Sequence, residues 1–243
     1  MFTDADAAAL YDLINPSDAT RYPSDALYNE LVMAADAVLD VGCGTGSMLH
    51  QARELGHRGR LVGLDPDPAA LDRARRRSDI EWVAGVAADA SWNREFDLVI
   101  MASNAFQCLV SDRELSASLV AIRRALRDGG RFAFDTRNPQ VREWEEWKPS
   151  NASDVVDGNG RTLRVSHHVE SVVDDVVTLT ETTSAQDGTV LRVDRASLRF
   201  LDVSKLGAFL HEAGFEIEAQ YGGWKHEVVS AASRSIVTIA RQA

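Results

Sequence analysis

An apolar run, Val38-Leu39-Asp40-Val41, passes directly into Gly42-Cys43-Gly44-Thr45-Gly46, and a second, Leu61-Val62-Gly63-Leu64, ends in Asp65-Pro66-Asp67. Short apolar runs punctuated by glycine and acid read as a buried strand, a glycine turn, a helix and a second, parallel strand. The glycines permit positive φ and let the backbone approach a ligand, because no Cβ stands in the way. Asp65, at the carboxyl end of the second strand, stands where ribose hydroxyls are met in open α/β sheets. Together these residues read as a site for an adenosine-containing ligand.

The glycine spacing narrows the ligand. A dinucleotide fingerprint requires G-x-G-x-x-G/A, with the helix N-terminus facing a pyrophosphate. Here the order is G-x-G-x-G, with Ser47 or Leu49 where the third small residue belongs. Asp40, two residues before the first glycine, instead makes the segment resemble motif I of the class I S-adenosylmethionine-dependent methyltransferases. That resemblance implies a loop (Asp40, Gly42, Cys43, Gly44, Gly46) wrapped around the amino-acid end and ribose of the cofactor, with Asp65 and Pro66 at the ribose. It also implies an acid near the adenine amino group, a role that Asp89 fits between Ala88 and Ala90. Phe96-Asp97-Leu98-Val99-Ile100-Met101 matches the family's fourth strand, and its exit from Met101 and Ala102 to Gln107 borders cofactor and acceptor. Leu126-Arg127-Asp128-Gly129-Gly130 resembles the family's turn into strand five. The implied cofactor is S-adenosyl-L-methionine, with S-adenosyl-L-homocysteine as product and no metal.

Composition excludes other classes. The net charge of -11 leaves no broad basic surface for a nucleic-acid backbone. The one dense basic cluster, Arg73 with Arg75, Arg76 and Arg77, falls at a predicted helix end, where cations complement the dipole, and reads as solvated. Cys43 and Cys108 have neither metal-ligand nor disulfide spacing. No apolar run approaches the roughly 18 to 20 residues of a membrane span, and Met1 to Asp6 lack a basic or apolar leader. A cytoplasmic protein is expected, and the excess of arginine over lysine suggests a GC-rich bacterial source.

Alternating strands and helices over 37–138 predict a Rossmann-like doubly wound α/β sheet of seven strands, the last antiparallel. Residues 1–36 read as a helical cap, 139–201 as an inserted antiparallel β lid, and 202–243 as completion of the sheet, all one domain. In the lid, Leu163, Val165, His167 and Val169 share one face of a strand. Val176 to Thr183 and Thr189 to Phe200 add two more, giving a three-stranded insert with a bulge near Asp194 or Arg195. Val203 to Ala213 reads as a helix closed by Gly214.

The N-terminal Leu10-Tyr11-Asp12-Leu13-Ile14 and Tyr22, before the glycine loop and with a β lid downstream, resemble bacterial methyltransferases acting on amino sugars and related natural products. The resemblance implies that Tyr11 and Tyr22 close over the cofactor and line the acceptor site, with Tyr11 also a catalytic candidate. His167 is the candidate base, because it points to the lid's apolar face, with Gln107 as a further catalytic contact. Asn104, Asp135, Arg137, Trp144 and Trp224 are the candidate acceptor contacts. The expected activity is methyl transfer to nitrogen or oxygen of a small molecule by a monomer or homodimer, without nucleic acid or membrane. A non-catalytic cofactor-binding protein and an NAD(P)-dependent oxidoreductase are the alternatives.

Overall fold

The computed structural model describes residues 2–16 and 22–242. Two helices, α1 (Asp4–Ile14) and α2 (Pro23–Met33), precede five parallel strands: β1 (Ala37–Val41), β2 (Arg60–Asp65), β3 (Glu81–Ala84), β4 (Phe96–Met101) and β5 (Leu126–Arg137). The crossovers are α3 (Ser47–Glu54), α4 (Pro68–Ala74) and α5 (Asp112–Ala125). α4 starts where Asp67 accepts the Ala69 amide at 2.8 Å. α5 carries Asp112 and Glu114 in its first turn and Arg123 and Arg124 in its last, matching charge to dipole at both ends.

An inserted sheet follows, with strands β6 (Ser153–Val156), β7 (Thr162–Val173), β8 (Val176–Ala185) and β9 (Val190–Arg199). The main sheet is then completed by α6 (Val203–Glu212), β10 (Phe215–Tyr221) and β11 (Ser235–Gln242). Its order is β10-β11-β5-β4-β1-β2-β3, and β11 runs antiparallel between β5 and β10. This is the expected seven-stranded, doubly wound sheet. β1 is buried along its whole length, as a strand covered on both faces must be. One face packs Phe106, Phe132 and Phe134 in a stack with centroids 4.2 and 4.7 Å apart; the other packs Tyr28, Val38, Leu49 and Ile100. Strand order reverses at β1, between β2 and β4, which opens a crevice beyond their carboxyl ends.

Two expectations need correction. The insert has four strands: β6 is short and begins Ser153-Asp154, without the apolar alternation that marks the others. No bulge lies at Asp194 or Arg195. Pairing of β8 with β9 is continuous from Arg192 to Arg199, and the irregularity falls at Leu191, between the Thr183–Arg192 and Ser184–Val190 pairs. Leu191 turns toward Leu163 and Val165, while Val193 is exposed.

α1 joins the lid to the core. Leu10 packs on Leu163 and Val165, and Asp4 accepts from Arg192 at 2.6 Å. Farther along the helix, Asp12 accepts from Thr45 in the glycine loop and from Arg73 Nε at 2.9 Å. Arg73 is therefore a tie between helices, whereas the sequence placed it on a solvated helix end. Among the described residues no helix is long and apolar enough to cross a membrane.

The loop before α3 rests on Trp82, whose indole N–H donates to the Arg77 carbonyl at 2.9 Å. A Cβ on Gly46, at φ +79°, would meet that ring at 2.3 Å, whereas one on Gly44 would meet nothing within 4 Å. Gly46→Ala is expected to lower the unfolding free energy by about 3 kcal/mol, strain and overpacking together, and Gly44→Ala by about 1 kcal/mol. Equal losses in urea denaturation would contradict this packing.

Candidate functional site

Three buried carboxylates lie toward the carboxyl ends of β1, β2 and β5. Asp40, Asp65 and Asp135 are 3, 8 and 1 % exposed. Asp65 ends β2; its oxygens accept the Gly44 amide at 2.7 Å and the Asp67 amide at 2.8 Å. Burial raises its pKa against the pull of these two amides. Asp40 is pushed up to about 7, by burial and then by the negative charge of Asp65. Asp135, in β5, accepts from the Tyr28 hydroxyl at 2.6 Å and the Asn104 amide at 3.1 Å. Burial still lifts it to about 6. Of these, Asp40 and Asp65 feel one another, and buried acids of this kind suit a cationic ligand, because a positive charge favours their ionised forms.

The glycine loop supplies the cradle. Gly44 faces open space, and Gly42 lies so close to Ala105 that an added Cβ would stand 2.9 Å from the alanine Cβ. The loop and the turn after β4 are thus in direct contact. Tyr11 is half exposed on α1, yet burial of its hydroxyl raises its pKa; Cys108, Asp65 and Asp12 add to the rise and Arg137 opposes it. Its hydroxyl therefore lies in the field of groups from the glycine-loop side and the β5 side at once. Tyr22 immediately precedes α2 as its N-cap residue.

A cavity of about 450 Å³ opens between the end of β5 and the loop joining β10 to β11. Asn104, Arg137, Glu143, Trp224 and Arg234 line it. Glu143 lies 3.5 Å from Arg137 and 3.8 Å from Arg234, and the Arg137 guanidinium stands 5.3 Å from the centre of the Trp147 ring. Asn104, Arg137 and Trp224 of the expected acceptor contacts are brought together here.

Other expected site residues take different places. Cys43 packs its thiol among Leu71, Ala74 and Trp82, where burial raises its pKa, so only its backbone belongs to the loop. Met101 likewise sends its side chain into the core, while Ala102 is half-buried on the opposite face. Pro66 and Asp89 are exposed at the rim, Ala88 is half-buried and Ala90 buried. Gln107, expected as a catalytic contact, is fully buried: its amide donates to the Arg199 carbonyl at 2.9 Å and its oxygen accepts from Arg137 N at 3.2 Å. It ties the lid to β5 and is not among the residues lining the cavity. Trp144, expected at the acceptor, packs edge-on against Phe200 with centroids 4.6 Å apart and anchors the lid. Asp135 lies behind Asn104, so its expected contact with the acceptor is indirect. His167, expected as base, pairs across the strands with Glu181 at 2.9 Å and is not among the residues lining the cavity.

Tyr28, Asp12, Glu143 and Arg234 were missed. The only local signal was a tyrosine on the apolar side of α2, whose buried hydroxyl requires a partner; that partner lies 107 residues away.

Residues 38–130 match the family model described as a methyltransferase domain. The chain is similar to a dTDP-3-amino-3,4,6-trideoxy-alpha-D-glucopyranose N,N-dimethyltransferase of Streptomyces venezuelae, at 30% identity over 68% of this chain and 71% of the relative. It is also similar to the cypemycin N-terminal methyltransferase of a Streptomyces species, at 26% identity over 83 and 81% of the two chains. The solved structure of an amino pentose methyltransferase from Micromonospora echinaspora with S-adenosylmethionine bound superposes with a TM-score of 0.71 and 22% identity, covering 97 and 96% of the chains.

The buried acids give the fold a pH dependence. The folded pKa of Asp40, about 7, lies above its ordinary 3.8. Its contribution to stability is complete below the unfolded value and is lost as pH rises through about 7. Asp40→Asn, which mimics the protonated acid, is expected to gain on the order of 2 kcal/mol relative to wild type between about pH 5 and pH 8. Urea unfolding at both pH values measures this; a difference that does not change with pH would contradict the shift.

Proposed function

Because the chain belongs to the S-adenosylmethionine-dependent methyltransferases, we propose that it methylates an amine nitrogen of a small molecule held in the cavity bounded by Asn104, Arg137 and Trp224. The cofactor is S-adenosyl-L-methionine, whose sulfonium supplies an already activated methyl group. The family assignment sets aside the nicotinamide-dependent alternative. The residues fit the cofactor: Gly44 leaves an open cradle, Asp65 stands ready for ribose hydroxyls, and Asp40 and Asp135 add negative charge that suits a cation. Tyr11, with its hydroxyl in the field of both Asp65 and Arg137, is suited to cover the junction of cofactor and acceptor.

The absence of a free base from the cavity carries the choice of nitrogen. An alcohol must give up a proton to become a good nucleophile, which requires a base within hydrogen-bond reach. Among the described residues lining the cavity, Glu143 is the one carboxylate, and it is engaged by two arginines. A neutral amine already carries its lone pair. That pair forms the new C–N bond while the C–S pair returns to sulfur, and the extra proton on nitrogen passes to solvent. The chain's task is then to orient the amine, which positioning alone serves. One relative is named for N,N-dimethylation of an amino sugar and another for methylation at an N-terminus, and both names support an amine acceptor.

Incubation with S-adenosylmethionine and matched acceptors tests the reading. S-Adenosylhomocysteine is expected to accumulate with a dTDP-linked 3-amino sugar or a peptide with a free N-terminus, and not with their hydroxyl counterparts. Turnover of the hydroxyl compounds alone would overturn it. Asp65→Ala is expected to weaken cofactor binding by on the order of 1.5 to 3 kcal/mol for each hydrogen bond lost. Unchanged calorimetric affinity would remove Asp65 from the site.

A further inference from the structure

Helix α1 has little of its own to hold it. It is 11 residues long, below the roughly 12 to 15 at which an isolated helix persists in water, and its buried apolar residues are Ala8 and Leu10. Leu13 and Ile14, in its last turn, are exposed. Its attachment comes from two sides. Leu10 packs on Leu163 and Val165 of the lid. Asp12 reaches the other way: one carboxylate oxygen accepts from the Thr45 hydroxyl in the glycine loop, and the other accepts from Nε and a terminal nitrogen of Arg73 on α4. Thr45 is buried, and the Asp12 and Arg73 side chains are 26 and 27 % exposed, so most of this contact is shielded from water. Among the described residues, Asp12 makes the polar side-chain contacts of α1 with the glycine loop and α4, with Arg76 a further 3.7 Å away.

The helix period decides what these two anchors do. Successive side chains are about 100° apart, so Leu10 and Asp12 stand about 200° apart around α1 and Tyr11 falls in the sector between them. A helix held on both flanks of a residue resists rolling that residue out of place. Tyr11 is half exposed, yet its hydroxyl is desolvated and lies in the field of Cys108 from the turn after β4, Asp65 from β2 and Arg137 from β5. Its ring therefore extends from α1 toward the strand ends that border the glycine loop. We propose that Asp12 is a positioning residue that, by accepting from Thr45 and Arg73, holds Tyr11 over the cofactor crevice and so sets how tightly the cofactor is retained. This rests on the reading of Tyr11 as a cover for the junction of cofactor and acceptor. Without the Asp12 contact, α1 stays on the lid through Leu10 and Asp4 and is free to roll, and the crevice loses its cover.

A double-mutant cycle tests it, read by calorimetric titration of S-adenosylhomocysteine into the full chain, with thermal unfolding of the ligand-free protein alongside. Tyr11→Ala is expected to weaken binding about tenfold, as loss of one partly buried aromatic contact would. Asp12→Ala is expected to weaken it to a similar degree, yet to add little in the Tyr11→Ala background. Asp12→Asn keeps an oxygen for Thr45 but loses the charge that faces Arg73, and is expected to fall between Asp12→Ala and wild type. If Asp12→Ala does not fold, Arg73→Ala releases the same carboxylate from outside the glycine loop and follows the same pattern. Wild-type affinity in Asp12→Ala, even with a lower melting temperature, would show a tie that is structural alone and would overturn the proposal. So would losses that multiply in the double variant, because Asp12 would then not act through Tyr11. Failure of the underlying reading has a different signature: Tyr11→Ala that binds S-adenosylhomocysteine as tightly as wild type, whatever Asp12→Ala does.

Discussion

Negative charge buried at the carboxyl ends of parallel strands is the constraint on which the rest of this molecule depends. Asp40 and Asp65 interact through the low-dielectric interior, and Asp135 is held at the same edge by Tyr28. Burying three carboxylates opposes folding unless each is protonated, hydrogen-bonded or matched by a cation. The protein uses the first two in its own structure: backbone amides at Asp65 and Asp135, and raised pKa values at Asp40 and Asp135. The third is available to a cofactor that carries a sulfonium. Much of the surrounding architecture follows, from the glycine loop that donates to Asp65 to the turn after β4 that donates to Asp135.

A second dependence runs through α1. One end of this helix holds the lid through Leu10 and Asp4, and the other holds the glycine loop through Asp12. Gln107 forms a parallel tie between β9 and β5 beneath the turn that bears Asn104. Lid and glycine loop are therefore joined through side-chain contacts, which fixes the end of β5 relative to the glycine loop.

Features carried by local pattern were legible in the sequence. The strand, glycine loop and acid from Val38 to Asp67 announce themselves because each residue's role is set by its immediate neighbours. The α/β alternation followed from periodicity, and the closing antiparallel strand from the resemblance to the family. Features that depend on distant partners were not legible. Nothing near Gln107 indicates that its amide is consumed by Arg199, and nothing near His167 singles out Glu181 on the next strand. Trp144 looked available because its neighbours are glutamates, yet Phe200 covers it. β6 escaped notice because an edge strand beginning Ser153-Asp154 carries little alternation.

The central claim, that a cation-bearing cofactor answers these buried acids, is tested most directly by calorimetric titration of S-adenosylmethionine and S-adenosylhomocysteine between about pH 5.5 and pH 8. The two ligands differ in the charge at sulfur. With Asp135 near 6 and Asp40 near 7, the acids of the free protein are largely protonated at the lower pH and ionised at the higher. The preference for S-adenosylmethionine is predicted to grow with pH, with protons released on binding at the lower value. A preference that is constant or falls across this range would contradict the account.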